Sequence, residues 1–178
     1  MRRWPGLIAL TTALAILACD QIPFTVQVPI VITGVHLTAP DSLQTQEFQK
    51  RVVDVTEYAN YRQYIDFARQ ITVDSALLRI TNHGPSTATL DLRVAEDTTL
   101  TPQTLDAALP LASLSLRPDT TRRLRGRNFL NFATLDTLQE VYLPEGLFTL
   151  YFQATTEEGA PDLTVDSLVL YVHLEGAK

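Results

Sequence analysis

Residues 71–94, ITVDSALLRITNHGPSTATLDLRV, carry the pattern that decides the fold of this chain. Two runs in which apolar and polar residues alternate, 71–81 and 87–94, flank the sequence Asn-His-Gly-Pro-Ser at 82–86. Alternation with a period of two is typical of a strand with one buried face, and Asn, Gly, Pro and Ser together favour a turn. The segment therefore predicts an antiparallel β-hairpin.

A five-residue motif of this segment recurs near the end of the chain. The sequence ITVDS at 71–75 returns as LTVDS at 163–167, and in both copies the apolar alternation shifts by one residue across the Asp-Ser pair. One extra residue that resets the alternation indicates a β-bulge. We therefore expect a bulge or a sharp bend at Asp74-Ser75 and at Asp166-Ser167, where each strand passes from one sheet to the other.

Other alternating runs predict five more strands, at 24–33, 52–55, 112–116, 147–155 and 163–174. Pro29 in the first of these runs cannot donate to a strand ladder, which favours an edge position or a bulge. About seven short strands separated by turns are typical of an antiparallel β-sandwich. Their succession resembles immunoglobulin-like sandwiches, and the first segment also resembles the water-stress domain of late embryogenesis abundant proteins. Neither resemblance rests on a motif that assigns a function.

Residues at helical spacing predict one or two short helices. Aromatic and aliphatic residues share one face of a helix over 57–69, and a second helix is expected over 131–142. We expect the first helix to cover an open end of the sheet and to pack its aromatic stripe on the core. The alternative is a ligand pocket lined by Tyr58, Tyr61 and Tyr64.

The first 18 residues have the order of an export signal. Arg2 and Arg3 precede an apolar stretch over 7–17, and small residues then lead to Cys19, the one cysteine of the chain. The apolar stretch is shorter than the roughly 20 residues that a membrane-spanning helix needs. We expect 1–18 to be removed as a signal peptide, 19–23 to form a tether and 24–178 to fold as the β-sandwich domain.

The sequence Ile16-Leu17-Ala18-Cys19 resembles the lipobox of bacterial lipoproteins, although Leu17 is larger than the usual residue at its position. The resemblance implies that Cys19 carries diacylglycerol and becomes the mature N-terminus, where two or three acyl chains would anchor the protein stably. An ordinary cleaved signal or an uncleaved anchor is the alternative. The predicted location is the extracytoplasmic side of a bacterial membrane in the cell envelope, with the inner and outer membranes both open.

The charge of the chain restricts its partners. The sequence has 14 basic and 20 acidic side chains, a net charge of −6, and loss of the two leader arginines leaves 12 against 20, or −8. Nucleic-acid affinity comes from neutralising phosphates, so we do not expect a nucleic-acid partner. A broad polybasic contact with anionic lipids is equally disfavoured.

One segment departs from this acidic balance. Five arginines lie within eleven residues: Arg117, Arg122, Arg123, Arg125 and Arg127. This cluster predicts either a solvated loop or edge strand that resists aggregation, or a contact site for phosphate headgroups, lipopolysaccharide, an anionic glycan or an acidic partner.

The sequence shows no pattern of a known catalytic or metal-binding site. His36, His83 and His173 lie in separate predicted elements, without the short spacing to other ligands that a zinc site needs. The sequence contains neither a Gly-rich phosphate loop nor a Gly-x-Ser-x-Gly elbow, and an acylated Cys19 cannot act as a nucleophile. We therefore predict no enzymatic activity, no metal and no cofactor.

These observations favour a lipid-anchored protein that serves as a binding or structural module for another envelope component, most simply a protein. The alternative is a carbohydrate- or lipid-binding module. Such sites need exposed aromatic rings around a concavity, and the chain has no Trp after the leader. An enzyme of an unrecognised type is the third hypothesis, and a small-molecule ligand is not expected.

Overall fold

The computed structural model describes residues 22–39 and 47–177. The predicted signal peptide, Cys19 and the start of the predicted tether lie outside these residues. The described chain forms eight antiparallel strands: β1 (Pro23–Thr38), β2 (Glu47–Asp54), β3 (Ala68–Asn82), β4 (Ala88–Ala95), β5 (Leu109–Leu116), β6 (Thr120–Gly126), β7 (Leu147–Thr156) and β8 (Asp162–Ala177). Sheet A has the strand order β1-β8-β3-β6, and sheet B has the order β2-β7-β4-β5.

The predicted antiparallel β-sandwich is confirmed. The connections follow the jelly-roll arrangement of two four-stranded sheets, with one strand more than the seven expected. Within the described ranges, β4 and β5 are the one pair of consecutive strands bonded to each other, and every other connection crosses between the sheets. The additional strand is β6, which lies in the arginine-rich segment.

The predicted hairpin over 71–94 is wrong, because β3 lies in sheet A and β4 lies in sheet B. The alternation itself is correct, since Leu78 and Ile80 of β3 and Leu90 and Leu92 of β4 are fully buried in one core. A period of two identifies which face of a strand is buried, but it does not determine which strand is its hydrogen-bonded neighbour.

The side chain of Asn82 holds the connection between β3 and β4 in place through hydrogen bonds. Its buried amide donates to the carbonyl oxygens of Ser86, Leu116 and Arg117 at 2.9, 3.2 and 3.1 Å. Its carbonyl oxygen accepts from the backbone N–H of Gly84 at 2.9 Å. One amide therefore joins the β3–β4 connection to the β5–β6 connection, and both of these cross from sheet to sheet.

Both predicted bulges are present, and both lie in the pairing of β3 with β8. The register shifts between Val73 and Ser75 on β3, which leaves Asp74 without a partner residue. The register shifts a second time between Val165 and Ser167 on β8, which leaves Asp166 without a partner residue on β3. Both strands stay in sheet A, so the expected passage from sheet to sheet is wrong.

The two bulged aspartates make reciprocal contacts across this strand pair. Asp74 of β3 binds the imidazole of His173 on β8. Asp166 of β8 accepts from the Arg79 guanidinium at 3.3 Å and from the Thr81 hydroxyl at 3.1 Å, both on β3. Each extra residue thus aims a carboxylate at the neighbouring strand, as bulges commonly re-aim side chains.

The predicted edge position of Pro29 is confirmed, because β1 pairs with β8 alone among the described strands. The backbone N–H of Val31 donates to the Tyr58 hydroxyl at 3.0 Å, so it faces away from β8. Pro29 lies two residues earlier and has the same orientation. Its missing N–H therefore removes no bond from the ladder.

The helix expected over 57–69 is shorter and interrupted. The chain forms a 3₁₀ turn at Val55–Glu57, helix α1 at Ala59–Tyr64 and a second 3₁₀ turn at Ile65–Phe67, after which β3 begins. Tyr61 is fully buried in the core. The aromatic stripe packs on the core as expected, and the helical segment ends before Ala68, where strand pairing begins.

The second predicted helix is present and begins where the sequence indicated. Asn131 caps α2 (Phe132–Thr137), which continues as a π-helical turn at Leu138–Tyr142 and a last α turn at Leu143–Glu145. The side chain of Asn131 accepts from the Thr134 N–H at 3.3 Å. No described helix is long and apolar enough to cross a membrane.

Replacing Gly146 by alanine is expected to destabilise the domain by about 1–3 kcal/mol. Gly146 ends the helical segment with φ of +84°, and an added Cβ would lie 2.9 Å from Thr56 Cγ2. Gly34, with φ of +66° and open space around the same position, provides the control. Urea unfolding should show a larger loss for Gly146→Ala than for Gly34→Ala, and equal losses would contradict the steric contact.

The outer faces of the two sheets differ in how they are covered. The connection over 96–108 folds across sheet B, where Leu105 and Ala108 form a second apolar cluster with the fully buried Tyr151. The Tyr151 ring stacks on Phe48 at 5.6 Å, and its hydroxyl donates to the backbone oxygen of Asp97. Sheet A has no comparable cover among the described residues.

Candidate functional site

The outer face of sheet A is the candidate binding surface, and we call it the open face. The strand register places Val31, Val169, Leu77 and Arg125 in one row across β1, β8, β3 and β6. Val31 is 47% exposed, and Val169 and Leu77 are partly exposed. Tyr171 lies two residues beyond Val169 on the same face of β8 and extends this apolar surface along the strand.

Arginines occupy the β6 side of the open face. Arg123 and Arg125 point outward from β6, and Arg79 of β3 lies directly opposite Arg123. Asp166 pairs with Arg79, whereas no carboxylate of the described residues lies within ion-pair distance of Arg123 or Arg125. Like charges directly opposite each other destabilise a strand pair, and an anion bound between them would relieve this cost.

The five predicted arginines do not form one site. Arg122 belongs to the inner side of β6 and reaches across to the Ser115 carbonyl oxygen of sheet B at 2.9 Å, so it ties the two sheet edges together. The Arg127 guanidinium lies 5.6 Å from the centre of the Phe132 ring. Arg117 lies in the β5–β6 turn, where its carbonyl oxygen accepts from Asn82.

Sequence reasoning missed Arg79 as a member of the site. It lies on β3, far from the cluster along the chain, and strand pairing brings it opposite Arg123. The separation of Arg122 from Arg123 and Arg125 could have been predicted, because residues of opposite parity on a strand point to opposite faces.

The three histidines remain apart. The His36 Nδ1 lies 3.1 Å from the Thr164 hydroxyl, His173 pairs with Asp74, and His83 is exposed in the β3–β4 connection. Among the residues in 22–39 and 47–177, no three metal-ligating side chains converge.

Tyr58, Tyr61 and Tyr64 do not line a common pocket. The Tyr58 hydroxyl bonds the backbone of Val31, the Tyr61 hydroxyl donates to the Leu143 carbonyl oxygen, and the Tyr64 ring packs 4.9 Å from Phe24. A groove of about 620 Å³ opens between the start of β3 and the second helical segment, and it contains none of the three rings. This geometry favours the core-packing interpretation of the stripe.

Comparisons with known proteins assign neither a family nor a role to this chain. No protein-family model and no curated protein sequence matches the chain. Similar solved structures include one of desmodium yellow mottle tymovirus, with 12% sequence identity, coverage of 88% of this chain and 90% of that chain, and a TM-score of 0.38. A structure of mud crab tombus-like virus has 12% sequence identity, coverage of 89% of this chain and 82% of that chain, and a TM-score of 0.44. A third is the carbohydrate-binding module CBM36 in complex with calcium and xylotriose, with 14% sequence identity, coverage of 82% of this chain and 98% of that chain, and a TM-score of 0.40. The TM-scores all lie below 0.5, so these likenesses assign no family, ligand or partner to this chain.

Proposed function

We propose that this protein is a lipid-anchored, non-enzymatic binding module of the bacterial cell envelope that docks an acidic protein on the open face of sheet A. The observation that carries the docking surface is the row of wholly or partly exposed apolar residues beside Arg79, Arg123 and Arg125 on the outer face of sheet A. The anchor is the acylated Cys19 that the lipobox resemblance implies.

A protein partner suits this surface better than a neutral glycan. Protein interfaces combine apolar contacts with arginine, whereas sugar sites present aromatic rings around a concavity. Among the Phe, Tyr and Trp residues on the described strands of sheet A, Tyr171 lies on the open face, whereas Phe24 packs against the core. The large exposed rings of the described chain, Phe67 and Phe132, lie on helical segments and not on the strands of this face.

Mass spectrometry of the protein purified from native membranes tests the anchor. We expect a mature species that begins at Cys19 and carries the mass of its acyl chains, and labelled palmitate should enter it. The Cys19→Ser variant should incorporate no label. An intact leader or an unmodified cysteine would contradict the anchor and would leave the docking surface to be tested separately.

Site-specific photocrosslinking in the native envelope tests the docking surface. A crosslinking residue placed at Thr33 on the open face should capture one discrete protein, and the same residue at Leu147, exposed at an end of sheet B, should not. Capture from both positions or from neither would contradict the proposed surface.

Reversing the charge of Arg123 and Arg125 to glutamate is expected to reduce the captured adduct at least about tenfold, because loss of complementary charge costs more than about 1.4 kcal/mol. The fold should tolerate the change, since a carboxylate opposite Arg79 replaces a like-charge pair. The control variant, Arg62→Glu with Arg117→Glu, makes the same charge change on α1 and in the β5–β6 turn. Equal losses in both variants would refute a role for this particular surface.

A further inference from the structure

We propose that the end of the sandwich where β1 begins rests on the surface of the membrane that holds the anchor, with Phe67 and Ile22 at the level of the lipid headgroups. This inference rests on the acylated Cys19 of the proposed function. It adds the surface that contacts the lipid and the orientation of the open face.

The start of β1 fixes which end lies near the anchor. Pro23 pairs with Ala177, so both ends of the described chain lie at the same end of sheet A. Two residues lie between Cys19 and Ile22, which makes three residue-to-residue steps, and an extended chain spans at most about 3.6 Å per step. Acyl chains on Cys19 would therefore hold this end within about 11 Å of the headgroup region.

Apolar side chains are exposed at this same end. Ile22 is 74% exposed and Phe67 is 41% exposed. Phe24 and Tyr64 lie beside them, with ring centres 4.9 Å apart, and each is partly exposed. Tyr is enriched at the membrane–water boundary, and Phe is common on the apolar faces that proteins bury at the level of the headgroups.

Close packing against β8 holds Phe67 in place. A Cβ at Gly176 would lie 2.1 Å from the Phe67 carbonyl oxygen, so the 3₁₀ turn touches the backbone of β8 directly. Ala68 then pairs with Gly176 as β3 begins. The exposed ring therefore stands on a rigid support at the end of the sandwich.

Charged residues around the apolar group limit how deeply it can enter the membrane. Asp66, Arg69 and Glu175 are exposed at this end. Carboxylates are costly in hydrocarbon, so the contact is confined to the headgroup region, as for proteins that lie on a bilayer.

This orientation separates the arginines of the open face from the lipids of the anchoring membrane. Arg125 is level with Val169 on β8, six residues along the strand from Glu175 at the anchored end. At about 3.4 Å per residue this is about 20 Å, more than twice the screening length of roughly 8 Å at physiological salt. The phosphates of that membrane therefore cannot neutralise Arg123 and Arg125, and the anionic partner is a separate molecule.

Tryptophan quenching in vesicles tests the contact, because the one Trp of the chain, Trp4, lies in the leader. The variants Phe67→Trp and His83→Trp place a single fluorophore at the anchored end and at the opposite end of sheet A. The acylated mature proteins are reconstituted into phosphatidylcholine vesicles brominated near the headgroup or near the methyl ends of the chains.

The Phe67→Trp protein should lose at least about half of its emission with lipid brominated near the headgroup and less with the deeper label, whereas the His83→Trp protein should be unaffected by either. Equal quenching of both variants, or no quenching of the first while mass spectrometry confirms acylation, would overturn the membrane contact and leave the anchor intact. Absence of acyl chains on the native protein would remove the anchor and this inference together.

Discussion

Replacing Asn82 by aspartate is expected to lower the free energy of unfolding by about 3–5 kcal/mol, a large share of the 5–15 kcal/mol typical of a domain. The amide donates to three carbonyl oxygens, of which those of Leu116 and Arg117 lie at the end of β5 and at the start of the β5–β6 connection. A carboxylate would place a second oxygen against these acceptors in a site with no solvent exposure of the residue. Equilibrium urea unfolding followed by circular dichroism measures the loss.

Two further variants make this prediction specific. Asn82→Ala removes the donors without adding charge and should cost less, about 2–4 kcal/mol. Asn128→Asp introduces the same carboxylate at an exposed position and should change stability little. A small effect of Asn82→Asp would mean that the two connections hold their positions without this amide, which would contradict the role assigned to it.

The predicted hairpin failed at this residue for a physical reason. The turn sequence at 82–86 favours a reversal of the chain, and local alternation cannot distinguish a return to the same sheet from a crossing to the other. The bonds that decide between them join Asn82 to Leu116 and Arg117, which lie more than 30 residues away along the chain. Such long-range partners leave no local signal in a single sequence.

The bulges could be predicted because their signal is local. A shift in apolar phase across Asp74-Ser75 and Asp166-Ser167 requires one unpaired residue in each strand, whichever strands are its partners. The structure adds that β3 and β8 are partners of each other, so the two motifs lie in one strand pair. The internal repeat in the sequence therefore corresponds to one reciprocal arrangement of Asp74 and Asp166.

The part of the candidate site that could be predicted also has a local signal in the sequence. Arg123 and Arg125 belong to one exposed strand face, a property of neighbouring residues that the sequence displays. Arg79 and the apolar row of Val169 and Leu77 join them only through strand order and register, which are long-range properties. Whether one outer face is covered depends likewise on where the 96–108 connection packs.

Alkaline solution is expected to destabilise the domain through Tyr61. Burial raises the pKa of this phenol well above its ordinary value of 10, and its hydroxyl must keep the proton that it donates to the Leu143 carbonyl oxygen. Below pH 10 the phenol is neutral in both the folded and the unfolded state, so its contribution is fully present. Above pH 10 the unfolded state releases the proton first, and stability falls by about 1.4 kcal/mol per pH unit until the raised pKa of the folded state is reached.

The Tyr61→Phe variant separates this effect from the other titrations of the chain. At pH 7 it should be less stable than the wild type by about 1 kcal/mol, because the Leu143 carbonyl oxygen loses one of its two donors and keeps the backbone N–H of Gly146. Near pH 11 the two stabilities should cross, since the phenylalanine variant has no phenol to ionise at this position. Burial also raises the pKa of Tyr142 and of Tyr151, but both residues are present in both proteins, so their effects cancel in the difference. Urea unfolding measured from pH 7 to 12 follows this difference, and parallel stability curves would show that the Tyr61 hydroxyl ionises as readily in the folded domain as in the unfolded chain.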